Sequence, residues 1–471
     1  MPGKNYRKTS DRKFGRKFGS KSGSPYGQKF GRKAREDFAE DRDDEDVPSA
    51  APAPSQRLSS VESSFAKLWE SLFSSPIHLD SALSKLPVRM KSILAQLVPP
   101  VLLRPASLAE KMGIGVPRDE PWSLSSEKKA KWRPAQLIVA RSYTQMSAGK
   151  IETDPVAEDY PSWMIQEWEK DWGKESAADL VRLLAVEPPL SLRVSSKKNR
   201  QEILSALTNE DRLPVRVETS RFSPVGIRLS GYAPVLHTES FKRGEFEIQD
   251  EGSQVLAAFA LWPEIFKDLL QKQPGSVSSS FSLKELPSAK EFYSKTLVDA
   301  CAGAGGKSLA MGDLIKGKGR IFSYDVSATK LQALKRRATR AGLNNIKTLV
   351  LSEGQESSAL ESFKAKADLV LVDAPCSGWG VLRRNPDIKW RQDPKVLERM
   401  PVLQSRLLDT YSTLVAPGGR LVYGLCTFRR AETIAVVENF NQTHPDFEPI
   451  LGGFVGPGPC DGFFMYSWKK K

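Results

Sequence analysis

Five short apolar runs constrain this 471-residue chain more than anything else in it. TLVDA (296–300), RIFSYD (320–325), IKTLVL (346–351), ADLVLVD (367–373) and GRLVYGL (419–425) each read as a strand, and helical stretches such as ATKLQALKRRATRAG separate them. β-rich runs alternating with helices predict a mostly parallel sheet covered on both faces. Ligands of such sheets sit at the carboxyl ends of the strands, so the residues at those ends matter most.

The first run leads into DACAGAGGKS, Asp299 to Ser308. A glycine-rich turn opening a helix lets a ligand approach the backbone. A phosphate-binding P-loop needs Gly five residues before Gly306-Lys307-Ser308, where Cys301 stands. A dinucleotide fingerprint beginning at Gly303 needs Gly at Ser308. The second run ends in Asp325, an acid placed to meet ribose hydroxyls, although an N-cap Asp is equally common. A glycine turn followed by such an acid, without a pyrophosphate clamp, favours S-adenosylmethionine over NAD. Glu353 after the third run is a candidate for an adenine edge, and a solvated loop acid is the competing reading.

The fourth run ends in Asp373-Ala374-Pro375-Cys376 and the fifth in Gly424-Leu425-Cys426-Thr427. Two of the chain's four cysteines thus reach one sheet edge, which points to thiol chemistry over inert core cysteines. RRNPDIKWR (383–391) follows the first of them. Arg383, Arg384, Lys389 and Arg391 beside such a pocket suit an RNA backbone; a solvated basic loop is the alternative.

Together EIQDEGSQ, VDACAGAGGK, YDVSATK, VDAPCSGWGVLRRNPDIKW, LVYGLCTF and the terminal DGFF resemble the RNA (cytosine-C5)-methyltransferases, the bacterial 16S rRNA methyltransferase B and F type and the Nol/Sun proteins, over about 156–471. The resemblance implies a Rossmann-like class I methyltransferase domain using S-adenosyl-L-methionine. Its cofactor residues would be Cys301, Ala302, Gly303, Ala304, Gly305, Gly306, Lys307, Asp325, Glu353, Asp373 and Pro375. Its catalytic residues would be Cys426 as nucleophile, Cys376 in product release, and Asp373 between cofactor and base. This chain departs from the family at Ala304, often Pro, at Leu425, usually Thr, and at Glu353, more usually Asp. FRRAET stands where a Pro-Glu-Glu-Asn-like run is usual.

The expected organisation is a tail over 1–57, a helical region over 58–150, a small α/β RNA-binding domain over 151–245 and the methyltransferase domain over 246–471, with 272–295 a surface insertion. The tail carries 14 Lys+Arg and 9 Asp+Glu, too polar to fold alone. The net charge of +14 favours a polyanionic partner. Ribosomal RNA or a ribosomal subunit is the first expectation and transfer RNA the second. No cysteine pair has zinc-ligand spacing and there are three histidines, so no metal is expected. With no apolar run of membrane-spanning length, the expectation is a cytoplasmic monomer, or a nuclear or nucleolar one in a eukaryote. Two other readings compete. A DNA cytosine-C5 methyltransferase would use the Pro-Cys thiol as nucleophile. A catalytically inactive RNA-binding assembly factor would have lost Cys426, Asp373 or the glycine turn.

Overall fold

The structure, a computed structural model, describes residues 155–471 apart from 210–214, 231–232, 277–280, 282 and 353–359, with scattered positions between 63 and 102. The expected 1–57 tail and Glu353 lie outside the described residues, as does nearly all of the 58–150 region.

Within 155–471 the first two α-helices are α1 (Ser162–Trp172) and α2 (Lys174–Leu184). A four-stranded antiparallel sheet follows, of β1 (Leu190–Val194), β2 (Arg216–Thr219), β3 (Gly226–Ser230) and β4 (Phe246–Ile248) in the order β2-β3-β1-β4. Helix α3 (Arg200–Thr208) covers it, its N-terminus capped by the Asn199 side chain. Leu192, Ile203, Leu207, Ile227, Leu229 and Phe246 form a separate core. The boundary expected at 245 therefore falls too early, because β4 pairs with β1. Helices α1 and α2 belong elsewhere: Met164, Trp168, Leu180 and Leu184 join the core of the larger sheet.

Helix α4 (Glu251–Leu261), capped by Asp250, leads to that larger sheet. The helix is apolar on nearly every side and buried accordingly. The strands are β5 (Thr296–Asp299), β6 (Arg320–Asp325), β7 (Ile346–Val350), β8 (Ala367–Asp373), β9 (Val415–Leu425), β10 (Phe447–Val455) and β11 (Phe463–Lys470). Their order is β10-β11-β9-β8-β5-β6-β7. β5 to β9 pair in parallel, and β11 joins β9 antiparallel. On one face α4 and α5 (Gly306–Leu314) share a core with Leu297, Leu369, Leu371 and Val422. On the other, α7 (Met400–Ser412) and α8 (Ile434–Thr443) pack on Val298, Val370, Val372 and Tyr423. Helix α6 (Ala328–Arg340) follows β6 and is capped by Ser327. The five parallel strands lie where the alternation predicts them. The expected surface insertion is partly core: Phe292 is buried, and Phe281, Leu283 and Leu286 pack against the α4 cluster.

The small sheet is fastened to the large one by buried polar groups. Asp313 on α5 accepts from Arg193 Nη1 at 2.8 Å, Ser195 Oγ at 3.1 Å and the Ser196 amide at 2.9 Å. Glu247 on β4 pairs with Arg337, at 3.1 Å, and with Arg340 on α6. Buried carboxylates persist when every partner is in place.

Candidate active site

The carboxyl ends of β5, β6, β8 and β9 meet around the glycine turn. Asp299 closes β5 and is fully buried, accepting from Ser308 Oγ at 2.5 Å; its second oxygen has no hydrogen-bond partner. Burial pushes its carboxyl from 3.8 up to about 7, the Ser308 hydrogen bond opposing and the Asp373 charge adding. The folded chain thus holds a proton that the unfolded chain releases across that interval. Stability should fall as pH rises from about 4 to about 7. Asp299→Asn should flatten this slope, as read by Tm against pH; an unchanged slope would place the titration elsewhere.

The turn itself is shaped by α6. Gly305 has φ +86°, and a Cβ there would collide with Leu334. Asp325, at the tip of β6, accepts from the Gly303 amide at 2.8 Å and the Ser327 amide at 2.7 Å. Ala304 O accepts from Arg337 at 2.7 Å. Cys301 and Ala302 lie in the same turn, and the Ala302 amide bonds Tyr324 O at 2.8 Å. Gly306 starts α5, and Lys307 points from it to Asp373, Nζ to Oδ2 2.6 Å. Burial works against the Lys307 ammonium, but the charges of Asp373, Cys426 and Asp299 more than offset it and its pKa ends raised.

These groups suit S-adenosyl-L-methionine. Next to Asp325, Val326 is 58% exposed, an apolar surface for a ring face. A Cβ on Gly303 would meet nothing within 4 Å, so that side of the turn is open. Asp325 and Asp373 offer carboxylate lone pairs to hydroxyl or ammonium groups. The turn's one cation, Lys307, is engaged by Asp373, so a phosphate clamp is missing.

The two thiols meet. Cys376 Sγ and Cys426 Sγ are 3.4 Å apart, and neither is in a disulfide. Cys426 leaves the end of β9, a strand paired on both sides by β8 and β11. Cys376 rides the loop after β8, and the Gly380 amide ties that loop back to Cys426 O at 3.0 Å. Gly380 also touches the chain at Gly462, where an added Cβ would overlap the Gly462 carbonyl. The Cys376 thiol is pushed well up by its hydrogen bond to Cys426, by burial, and by the charges of Cys426 and Glu432. Its raised pKa keeps the Cys376 thiol protonated beside the second sulfur.

The basic residues of 383–391 have a different place from the one expected. Arg383 is buried, bonding Asp461 at 2.8 Å and Gly458 O at 2.7 Å. Arg384 bridges Asp461 at 2.5 Å and Asp250 at 2.7 Å. Lys389 is fully buried, donating to Asp159 O at 2.7 Å over the Tyr160 ring, and burial lowers its pKa to about 7. Arg391 pairs with Asp387 at 2.9 Å. All four bond within the protein; Arg383 and Lys389 are buried away from any RNA backbone, and Arg384 and Arg391 keep part of their surface exposed. The DGFF stretch is explained at the same time: Asp461 receives both arginines and Gly462 backs Gly380. Glu432, which the sequence reading passed over, is buried behind both cysteines; its acid six positions after Cys426 was the available signal. Among the described residues no group of three His, Cys, Asp or Glu could hold a metal ion, and no helix is long and apolar enough to cross a membrane.

The family described as "16S rRNA methyltransferase RsmB/F" matches residues 289–455, and the "Methyltr_RsmF/B-like, ferredoxin-like domain" matches 160–236. The "Probable ribosomal RNA small subunit methyltransferase B" of Synechocystis sp. is 31% identical over 66% of this chain and 67% of its own. The chain belongs to the RsmB/F family of 16S rRNA methyltransferases. A Bacillus subtilis relative with the same description is 33% identical over 66% of each chain. The match spans about two thirds of the length of these relatives. Two Pyrococcus horikoshii structures share the fold. One is titled as NSun6 with SFG, 17% identical with a TM-score of 0.53 over 66% of this chain and 98% of that one. The other is titled as a methyltransferase homolog, 20% identical with a TM-score of 0.52 over 66% and 96%. The RsmB/F family is a family of S-adenosyl-L-methionine-dependent methyltransferases, and the ferredoxin-like match at 160–236 takes in α1, α2 and β1 to β3.

Proposed function

We propose that the chain methylates C5 of a cytosine in RNA, ribosomal RNA first, through a covalent adduct at Cys426. The observation that carries this reading is the pair of thiols 3.4 Å apart at the carboxyl edge of the sheet, beside Asp373 and Lys307. Cytosine C5 is a poor nucleophile until a thiolate adds to C6 and moves the double-bond electrons onto C5. Bound S-adenosyl-L-methionine supplies an electrophilic methyl group. Cys426, directly after β9, is the thiol we assign to the addition. Asp373 is placed to accept a hydrogen bond from the cytosine amino group. After methylation a proton passes from C5 to water, C5=C6 re-forms, and the C6–S bond breaks to return the Cys426 thiolate. Cys376 donates a hydrogen bond to the departing sulfur, a role its protonated state supports. The base must leave its stack to reach this pocket.

A denaturing gel tests the reading with the full chain, the methyl donor and a small-subunit rRNA transcript. Cys376→Ser should run as a heat-stable protein–RNA adduct, since serine is a weaker acid on a shorter bond. Cys426→Ser should give none. An adduct with Cys426→Ser alone would reverse the two roles.

A further inference from the structure

We infer that Glu432 is a positioning residue that fixes Cys376 against Cys426 and so governs release of the methylated RNA. The inference rests on the covalent reading above. The loop carrying Cys376 has no strand partner of its own, whereas Cys426 directly follows β9, whose ladders run to Gly424 with β8 and to Leu425 with β11. Gln392 holds the Ser377 carbonyl and the Gly380 amide holds Cys426 O, but one carboxylate gathers both neighbours of Cys376. Glu432 Oε2 accepts from the Ser377 amide at 2.9 Å and from Gln404 Nε2 at 2.9 Å. The same Gln404 nitrogen donates to Pro375 O at 2.8 Å. The residues on both sides of Cys376 are thereby clamped to one acid. Ser377 Oγ and Thr427 Oγ1, 2.7 Å apart, join the neighbours of the two cysteines directly. Glu432 in turn is locked where its own carbonyl accepts from Tyr423 OH at 2.9 Å, on the strand that carries Cys426. Glu432 and Gln404 are fully buried, so water cannot stand in for a lost partner without opening the core.

The asymmetry decides which step suffers. Without the carboxylate the two neighbours of Cys376 lose their common acceptor, while β9 keeps its ladders up to the residue before Cys426. Attack by Cys426 should then survive, and the step that needs Cys376 should fail. A purely structural role would slow both alike.

The experiment follows adduct and methyl transfer in parallel for wild type, Glu432→Ala, Glu432→Gln and Cys376→Ser, using the full chain and a small-subunit rRNA transcript. Glu432→Ala should accumulate adduct about tenfold over wild type while first-turnover methyl transfer stays within about threefold. Glu432→Gln should come close to wild type, since its amide oxygen still accepts from Ser377. Equal slowing of transfer and release, or no adduct where Cys376→Ser gives one, overturns the inference. If Glu432→Ala does not fold, Gln404→Leu removes the clamp from the other side and must show the same split; failure there overturns it too. If Cys376→Ser itself traps nothing, the covalent reading falls and this inference with it.

Discussion

Replacing Cys426 by alanine should lower methyl transfer to RNA by about 10⁴-fold or more, the loss expected when a nucleophile that acts as part of a unit is removed. That corresponds to roughly 5.5 kcal/mol of transition-state stabilisation. The folded state should barely notice. The thiol's hydrogen bond is to Cys376, a weak sulfur contact, and β9 keeps its ladders to β8 and β11. Tm should move by no more than about 2–3 °C, and the shift produced by S-adenosyl-L-methionine should persist, because the turn at 301–307 and Asp325 are untouched. Activity that survives the substitution would remove Cys426 from the nucleophile's role. Loss of cofactor binding together with activity would point to a collapsed pocket instead.

Asp313→Ala should be the most damaging single change outside the site. It leaves the Arg193 guanidinium, 3% exposed, with Gln249 as a neutral partner and removes the acceptor of Ser195 and Ser196. Breaking a buried ion pair from one side costs about 3–5 kcal/mol, a fall in Tm of roughly 5–10 °C for a chain of this size. The double change Arg193→Met with Asp313→Leu should recover most of the loss, since an apolar pair of similar volume avoids the stranded charge. Full recovery is not expected, because the Ser195 hydroxyl and Ser196 amide still lack an acceptor. Equal stability of the single and double variants would mean that the seam does not depend on the ion pair. Amide exchange in β1 and α3 should rise in Asp313→Ala ahead of exchange in β5 and β8.

The large sheet was legible in the sequence because its central strands β5 and β8 are buried on both faces. A run such as ADLVLVD holds four consecutive apolar residues, Leu369 to Val372, and its end is marked by the acid that must reach the pocket. The thiols were legible for the same reason, each placed at such an end. The basic loop was not. Arg383 and Lys389 look like any exposed cations until residues far along the chain arrive: Asp461 is 78 positions from Arg383, and Asp159 is 230 from Lys389. Local pattern carries no trace of such partners. The small sheet suffered similarly. Strands β3 and β4 are short, and β4 lies between a turn and a helix cap where periodicity has too few residues to speak. Glu432 escaped because an acid after an arginine pair reads as surface, while its burial is imposed by β9, α7 and the Cys376 loop closing over it.

The position of β11 has a consequence for how the protein is made. It is the last strand in sequence, yet it lies between β9 and β10, and its ladder covers the flank of the strand that carries Cys426. Until residues 463–470 have left the ribosome, the nascent chain holds a hydrophobic strand with one side unpaired, a template for wrong partners. The two arginines at 383 and 384 likewise wait for Asp461. Synthesis therefore delivers the nucleophile well before the segment that completes its surroundings, and chaperone occupancy on this chain should peak between the emergence of β9 and that of β11.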